Sequence, residues 1–405
     1  MFKERAKSHH ASHGMMMSYF RGKKSIGEHL QEAQTGDKEN AIYLHVPFCN
    51  KICTFCTMRR SLCKPSEDYA DLVVREIEYY AKQEYIKSSK YKSVYFGGGT
   101  PTTLDADELE KILKALNNNL NIEDNAEVSI ETTITELTED KLNVFKENGV
   151  NRFSIGIQTF NDRGRIFLGR KGTGKTACEK IQNMKEMGFK NINVDLIYNY
   201  PDEDTSELLY DLDTIFSLDL GGFSFYSLIM MENSLLKNKN VNENDKDLEF
   251  FNTIYNKSLS NGFSLLELTK LVNHDNYEYI RARHKGADTL AIGAAAGGNF
   301  GNLVYANPGD IDKYREYVEN IEKNNAEGML MDSKYKKISQ LVGCIQECYI
   351  PICEYEDILK EEVRGFLDEL LEKEYLVKKN NKYNMTPKGV YWGNNICVEI
   401  MKYIK

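Results

Sequence analysis

Cys49, Cys53 and Cys56 fall within eight residues, with Cys63 just beyond. The chain holds nine cysteines, and an odd total with one tight cluster is a poor match to a disulfide framework. Clustered thiols in a reducing compartment instead bind metal or do redox chemistry. Structural zinc takes four ligands, usually in two pairs. Three thiolates spaced Cys-x3-Cys-x2-Cys in one loop suit an iron–sulfur cubane that keeps one iron free of protein ligands. That open iron can bind an exogenous chelating molecule.

The elements that must position this loop follow from the apolar pattern. Strand-like runs occur at 42–46, 93–96, 127–131, 152–158, 191–198 and 222–228, and helical spacing fills most of the intervals between them. Strands alternating with such helices predict βαβ units and a parallel sheet. Six units predict an α/β fold, a partial (β/α)6 TIM-like barrel over residues 41–262, with its chemistry at the C-terminal ends of the strands. The cysteines follow the first strand directly. Residues 263–330 extend the barrel and contain the Gly/Ala-rich run Ala291–Gly298. Residues 331–405 read as helices, two short strands around Lys379-Asn-Asn-Lys382 and a final helix, a winged-helix-like α+β unit. Residues 1–40 are polar and unpatterned. They read as a flexible N-terminal extension, although His9, His10 and His13 beside Met15, Met16 and Met17 are soft-metal ligand types.

The 405 residues carry 52 Lys+Arg against 61 Asp+Glu, a net charge of −9, with 41% hydrophobic and 28% charged residues. A globular core is available and global disorder is not expected. The acidic balance argues against a nucleic-acid partner. The sequence also lacks an apolar run of membrane-spanning length or a secretory apolar core, so no membrane partner and a cytoplasmic location are expected.

Residues beyond the cysteines carry a resemblance. The segment Tyr43-Leu-His-Val-Pro-Phe-Cys49 and the cysteine spacing resemble the radical S-adenosylmethionine (SAM) superfamily, in the branch related to oxygen-independent coproporphyrinogen III dehydrogenase. The resemblance implies a 4Fe-4S cluster on Cys49, Cys53 and Cys56, whose fourth iron chelates SAM. It implies SAM contacts from Tyr43, from Gly98, Gly99 and Thr100 in Gly97-Gly-Gly-Thr-Pro101, and from Glu131, Gln158, Arg170 and Asp195. Reductive cleavage of the sulfonium then gives a 5′-deoxyadenosyl radical, with electrons from a flavodoxin or similar donor.

Within that branch three readings compete. The dehydrogenases carry a further cysteine two residues after the third ligand, where this chain has Met58. Haem chaperones carry His-Asn-x-x-Tyr-Trp, of which His274-Asp-Asn-Tyr-Glu-Tyr279 is a loose echo without the tryptophan. The stretch Lys285–Gly298 resembles haem-degrading radical SAM methyltransferases, the anaerobilin synthases. That resemblance implies two SAM molecules, transfer of a methylene to a haem meso carbon, ring opening to a methylated linear tetrapyrrole and release of iron. Arg59, Arg60, His284, Gly297 and Gly298 are the candidate contacts to a haem or related tetrapyrrole, with His274 a further possible ligand. The small residues of 291–298 also suit a tightly packed strand–helix junction.

Two patterns compete with these assignments. Gly169-Arg-Lys-Gly-Thr-Gly-Lys-Thr176 satisfies the phosphate-binding G-x4-G-K-T pattern. A true P-loop leaves a strand directly, whereas the nearest expected strand ends near Gln158. Cys344, Cys348 and Cys353 suggest a second cluster, but Cys344 and Cys348 share a helical face and read better as packed thiols.

Overall fold

The computed structural model describes residues 1–6, 17–36, 39–56, 66–229, 234–236, 244–323 and 326–405. Six parallel strands stand side by side in chain order: β2 (Glu39–Val46), β3 (Lys90–Gly98), β4 (Ile122–Thr132), β5 (Arg152–Gln158), β6 (Asn191–Tyr198) and β7 (Gly222–Ser227). Helices α1 (Tyr69–Ala81), α2 (Ala106–Asn119), α3 (Glu139–Glu147), α4 (Asp162–Phe167), α5 (Gly174–Glu186), α6 (Thr205–Ser217) and α7 (Asp247–Ser260) alternate with them. This is the expected α/β architecture.

Period-two alternation explains why these strands face as they do. Val128 and Ile130 of β4, Phe153, Ile155 and Ile157 of β5, and Ile192, Val194 and Leu196 of β6 all join the main apolar core. The intervening residues Ser129, Glu131, Arg152, Ser154, Asn193 and Asp195 take the opposite, polar face. Capping boxes at Asp105/Glu108, Thr173/Thr176 and Asp204/Glu207 start α2, α5 and α6, each cap worth about 1 kcal/mol.

The sheet continues on both sides. Next to β7 lie β9 (Lys270–Val272) and β8 (Ser264–Glu267), antiparallel. After α8 (Glu278–His284), β10 (Asp288–Ile292) pairs in parallel with the outer side of β2. Strands β11 (Gly297–Phe300), β12 (Leu303–Ala306) and β13 (Glu327–Met331) follow antiparallel, with α9 (Ile311–Glu319) between the last two.

The segment before residue 41, expected as a flexible extension, is built into this frame in its described parts. Strand β1 (Phe20–Ser25) closes the sheet by pairing antiparallel with β13. The Arg5 guanidinium lies 4.3 Å from the Tyr391 ring and 3.1 Å from Asp247, while Phe2 stacks on Trp392. A stretch poor in apolar residues gave no sign of this, because its partners lie more than 190 positions away.

The C-terminal unit has its own core around Ile338, Leu341, Leu367, Leu370, Ile396 and Ile400. It comprises α10 (Ser333–Gln346), β14 (Tyr349–Ile350), α11 (Val363–Glu372), β15 (Leu376–Lys379), β16 (Lys382–Met385), α12 (Pro387–Tyr391) and α13 (Gly393–Met401). Its three strands are antiparallel in the order β14–β16–β15. Asn380 and Asn381, both at positive φ, make the two-residue hairpin turn that such a pair favours.

Candidate active site

Strand β2 delivers the cysteine loop to the C-terminal end of the sheet, and the glycine run after β3 passes directly beneath it. Gly99 donates its N–H to Val46 O and Thr100 to Phe48 O, each at 2.8 Å. A Cβ on Gly99 would lie 2.4 Å from Phe48 O and 3.0 Å from Cys49 Sγ. Gly98 holds φ at +117° with His45 and Val46 against it. Only glycine permits that approach. From the other side, Thr54 donates its N–H to Leu168 O and its hydroxyl to Phe167 O, strapping Cys53 and Cys56 to the end of α4.

The cleft so formed has a volume of about 240 Å³. Cys49, Cys53 and Cys56 meet Gly98, Gly99, Thr100, Glu131, Gln158, Arg170 and Asp195 there. The sequence therefore anticipated most of one continuous lining. Arg170 donates from Nη1 to Cys53 Sγ at 2.9 Å and from Nη2 to Gly156 O, while its buried Nε has no hydrogen-bond partner among the described residues. Gln158 sits at a break in the β5–β6 register with φ of 71°, which turns its amide back toward Gly156. Glu131 accepts from Tyr95 Oη at 2.6 Å and from Gly98 N at 3.3 Å. Burial, reinforced by Asp195, pushes its carboxyl up to about 7. Burial also raises Asp195, against the opposing charge of Lys270.

Several candidates lie elsewhere. Tyr43 does not line the cleft. It stacks on Tyr95 and Tyr279 and pairs with His45 at 2.8 Å, while burial lowers the His45 imidazole to about 4 and keeps it neutral. Tyr43 thus supports the floor under Gly98. His284 lies between Glu267 and Glu347 at 3.6 and 3.1 Å, where α8 meets α10. Gly297 and Gly298 belong to β11, outside the cleft lining, and a Cβ on Gly298 would lie 2.2 Å from Thr289 O. Gly293 in the same run approaches His45 O equally closely, so these small residues serve strand packing. His274 meets Lys190 O at the surface. Arg59, Arg60, Met58, Cys63, His9, His10, His13, Met15 and Met16 lie outside the described residues.

The phosphate-loop pattern does not form a phosphate loop. Helix α4 separates it from β5, Thr173 is spent capping α5, and Gly174 packs on Phe160 O. Cys344 and Cys348 are half-buried and Cys353 exposed. Among the described residues no cysteine, histidine or acid trio converges on a single-ion site.

Below the cleft runs a buried ionic cluster that the sequence reading missed. Arg152 binds Asp275 through Nε and Nη2 at 3.0 and 2.9 Å, and Ser129 through Nη1 at 2.8 Å. Its guanidinium lies 3.9 Å from the Tyr277 ring. Burial opposes ionisation of Asp275, yet the charge of Arg152 outweighs it and holds the carboxyl well below the usual range. Lys270, 3.5 Å from Asp275, is lowered to about 8 by burial and by Arg152. The available signal was an arginine on the polar phase of a buried strand.

These residues fit a thiolate-held cluster with an amino-acid ligand on its open iron. The three thiols line one wall, and the glycine cradle leaves no room for a side chain beneath them. The Arg170 Nε–H, without a partner among the described residues, suits a carboxylate, and Glu131 suits an ammonium.

Comparison with known proteins agrees. Residues 43–215 match the model of the Radical SAM superfamily. The chain is 26% identical over 382 residues to the heme chaperone HemW of Lactococcus lactis, covering 89% of this chain and 96% of that protein. It is also 26% identical over 421 residues to the anaerobilin synthase of Escherichia coli O157:H7, covering 96% and 92%. The structure of coproporphyrinogen III oxidase from Escherichia coli superposes with a TM-score of 0.77 at 20% identity, covering 91% of each chain, and shows the shared fold. The superfamily's cofactors are a 4Fe-4S cluster and SAM. Residues 43–215 form a Radical SAM domain, and the chain has the fold of coproporphyrinogen III oxidase.

Proposed function

We propose that this enzyme opens the haem macrocycle anaerobically, giving a methylated linear tetrapyrrole and releasing iron. The observation that carries the reading is the reach of the anaerobilin synthase match, 96% of the chain against 89% for the Lactococcus haem chaperone. A match of that length must include much of the segment before residue 41, which here supplies β1 and the Arg5 anchor.

When bound, the cluster and SAM supply a one-electron reduction and a carbon-centred radical. The chain's residues hold and orient them. Cys49, Cys53 and Cys56 would hold the cluster. Arg170 would pair with the SAM carboxylate, and Glu131 and the Gly98–Thr100 backbone would receive its ammonium. Gln158 would contact SAM, and Asp195 would take the ribose side. Ile134 and Phe55 give the cleft apolar wall, which excludes water from a radical step.

A second reading, a haem chaperone that traffics intact haem, is favoured by the HemW likeness. Against it, the segment 274–279 that echoes the chaperone signature is occupied internally, with Asp275 bound to Arg152 and Tyr279 stacked on Tyr95. Anaerobic incubation of the reconstituted protein with haem, SAM and reductant separates the readings. Loss of haem absorbance with a linear methylated product supports ring opening. Intact haem passed to an apo-protein supports the chaperone, and conversion of coproporphyrinogen instead supports the dehydrogenase.

A further inference from the structure

Helix α8 packs on β2 and β3, on the side of Ala41, Tyr43 and Tyr95. It carries Tyr279 and Arg283 one turn apart on a single face. Tyr279 stacks on Tyr95 with ring centroids 4.6 Å apart, and Tyr95 Oη donates to Glu131 at 2.6 Å. A ladder of two stacked tyrosines thus runs from the SAM side of the cleft down to α8. At its lower end Arg283 donates to Tyr279 Oη at 3.4 Å, its guanidinium 5.6 Å from the ring. Burial raises the hydroxyls of Tyr43, Tyr279 and Tyr335, and the Arg283 charge opposes that rise in each. The guanidinium therefore sits among residues of β2, α8 and α10.

Nearby cations are taken up by carboxylates: Arg152 and Lys270 by Asp275, and Lys336 by Asp288. Arg283 differs. Among the described residues its hydrogen-bond partner is Tyr279, and no carboxylate pairs with it. The side chain is exposed, yet it is not simply in bulk water. Tyr279 holds its guanidinium above the ordinary value against the opposing effect of burial. Tyr226 on β7 behaves alike, being 45% exposed while burial and the Asp195 carboxylate raise its hydroxyl. Tyr277 links the two, its ring 6.1 Å from Tyr95 and its hydroxyl raised by burial, with Glu267 and Tyr226 reinforcing the rise. Side chains open to solvent on which burial still acts face an internal space. A cation left there without a counter-charge costs free energy that an entering anion relieves.

We propose that Arg283 receives a carboxylate of the substrate at the lower end of the tyrosine ladder. A planar guanidinium matches a carboxylate through two parallel N–H···O bonds. Its remaining donors are free for that pair, since Tyr279 engages Nη1 alone. This deepens the ring-opening reading and rests on it: the carboxylate is then a haem propionate. The propionate edge of the macrocycle is held at α8, while SAM takes the Glu131 end of the same ladder. Arg283 is a positioning residue in this account, fixing which part of the ring reaches the cleft.

The test titrates the full-length reconstituted protein with haem and with haem dimethyl ester, whose propionates carry no charge. Arg283→Gln is expected to weaken haem binding about ten-fold or more, the loss of one charge-assisted pair. The diester should bind wild type and Arg283→Gln equally. Arg283→Lys, which keeps the charge, should hold haem more tightly than Arg283→Gln. Iron content, SAM affinity and Tm of Arg283→Gln stay at wild-type values. Equal haem affinity in wild type and Arg283→Gln would overturn the anchor. So would a matching loss of haem and diester binding, which marks a structural role for the arginine. Product analysis with SAM and reductant reads the proposed function separately. Haem held through Arg283 and left intact contradicts ring opening and leaves the anchor standing.

Discussion

Arg170 donates a hydrogen bond from its guanidinium to Cys53 Sγ at 2.9 Å, joining the loop after α4 to one of the proposed cluster ligands. Donors to cluster sulfurs raise the reduction potential. Arg170→Met should therefore shift the cluster to a more negative midpoint, read by potentiometric titration with EPR detection. It should also weaken SAM binding about ten-fold or more, the loss expected for a charge-assisted hydrogen bond. An unchanged potential and SAM affinity would remove Arg170 from the site.

The cradle under the cysteines gives a steric prediction. Gly99→Ala places a methyl 2.4 Å from Phe48 O, so the loop must shift and reconstituted iron content should fall to a small fraction of wild type. Gly365→Ala in α11 meets nothing within 4 Å and should gain up to about 1 kcal/mol of stability with normal iron loading. Iron analysis and thermal melts of both variants check the contrast.

Glu131 gives a pH dependence with a definite sign. Its folded-state pKa of about 7 lies above the ordinary carboxylate value. Its favourable contribution is complete at acidic pH and is lost as pH rises through 7. Cluster-free Glu131→Gln should melt at the wild-type temperature near pH 4 and on the order of a few degrees higher at pH 8. The same variant should bind SAM more weakly. A Tm difference independent of pH would show that the carboxyl is not held protonated.

The Arg152–Asp275 pair predicts asymmetric costs. Removing Asp275 alone, as in Asp275→Ala, leaves the Arg152 and Lys270 charges buried without their shared partner and should destabilise by about 3–5 kcal/mol. Arg152→Met combined with Asp275→Leu should cost less than Asp275→Ala alone. Denaturant melts of the single and double variants measure this, and strict additivity would contradict a coupled pair.

Much of the barrel was legible because β2–β7 alternate apolar and polar residues under a strong burial constraint. The cysteines and most of the cleft lining were legible because they cluster at strand ends. Other features were not. Strand β1 reads as polar because it is an edge strand paired 300 residues away. Arg152 and Asp275 meet only in three dimensions, and either alone looks like a surface charge. Tyr43 belongs to a recognisable motif, yet its stack with Tyr95 and Tyr279 places it beneath the cleft. Lys285–Gly298 reads as a ligand-approach segment, whereas its close approaches are to the backbone at His45 and Thr289.

The most direct measurement of ring opening follows the methyl group. Incubation with haem, reductant and SAM carrying a CD3 methyl should give a linear tetrapyrrole bearing two deuterium atoms and 5′-deoxyadenosine bearing one, with iron released. Unlabelled 5′-deoxyadenosine beside intact haem would contradict the proposal.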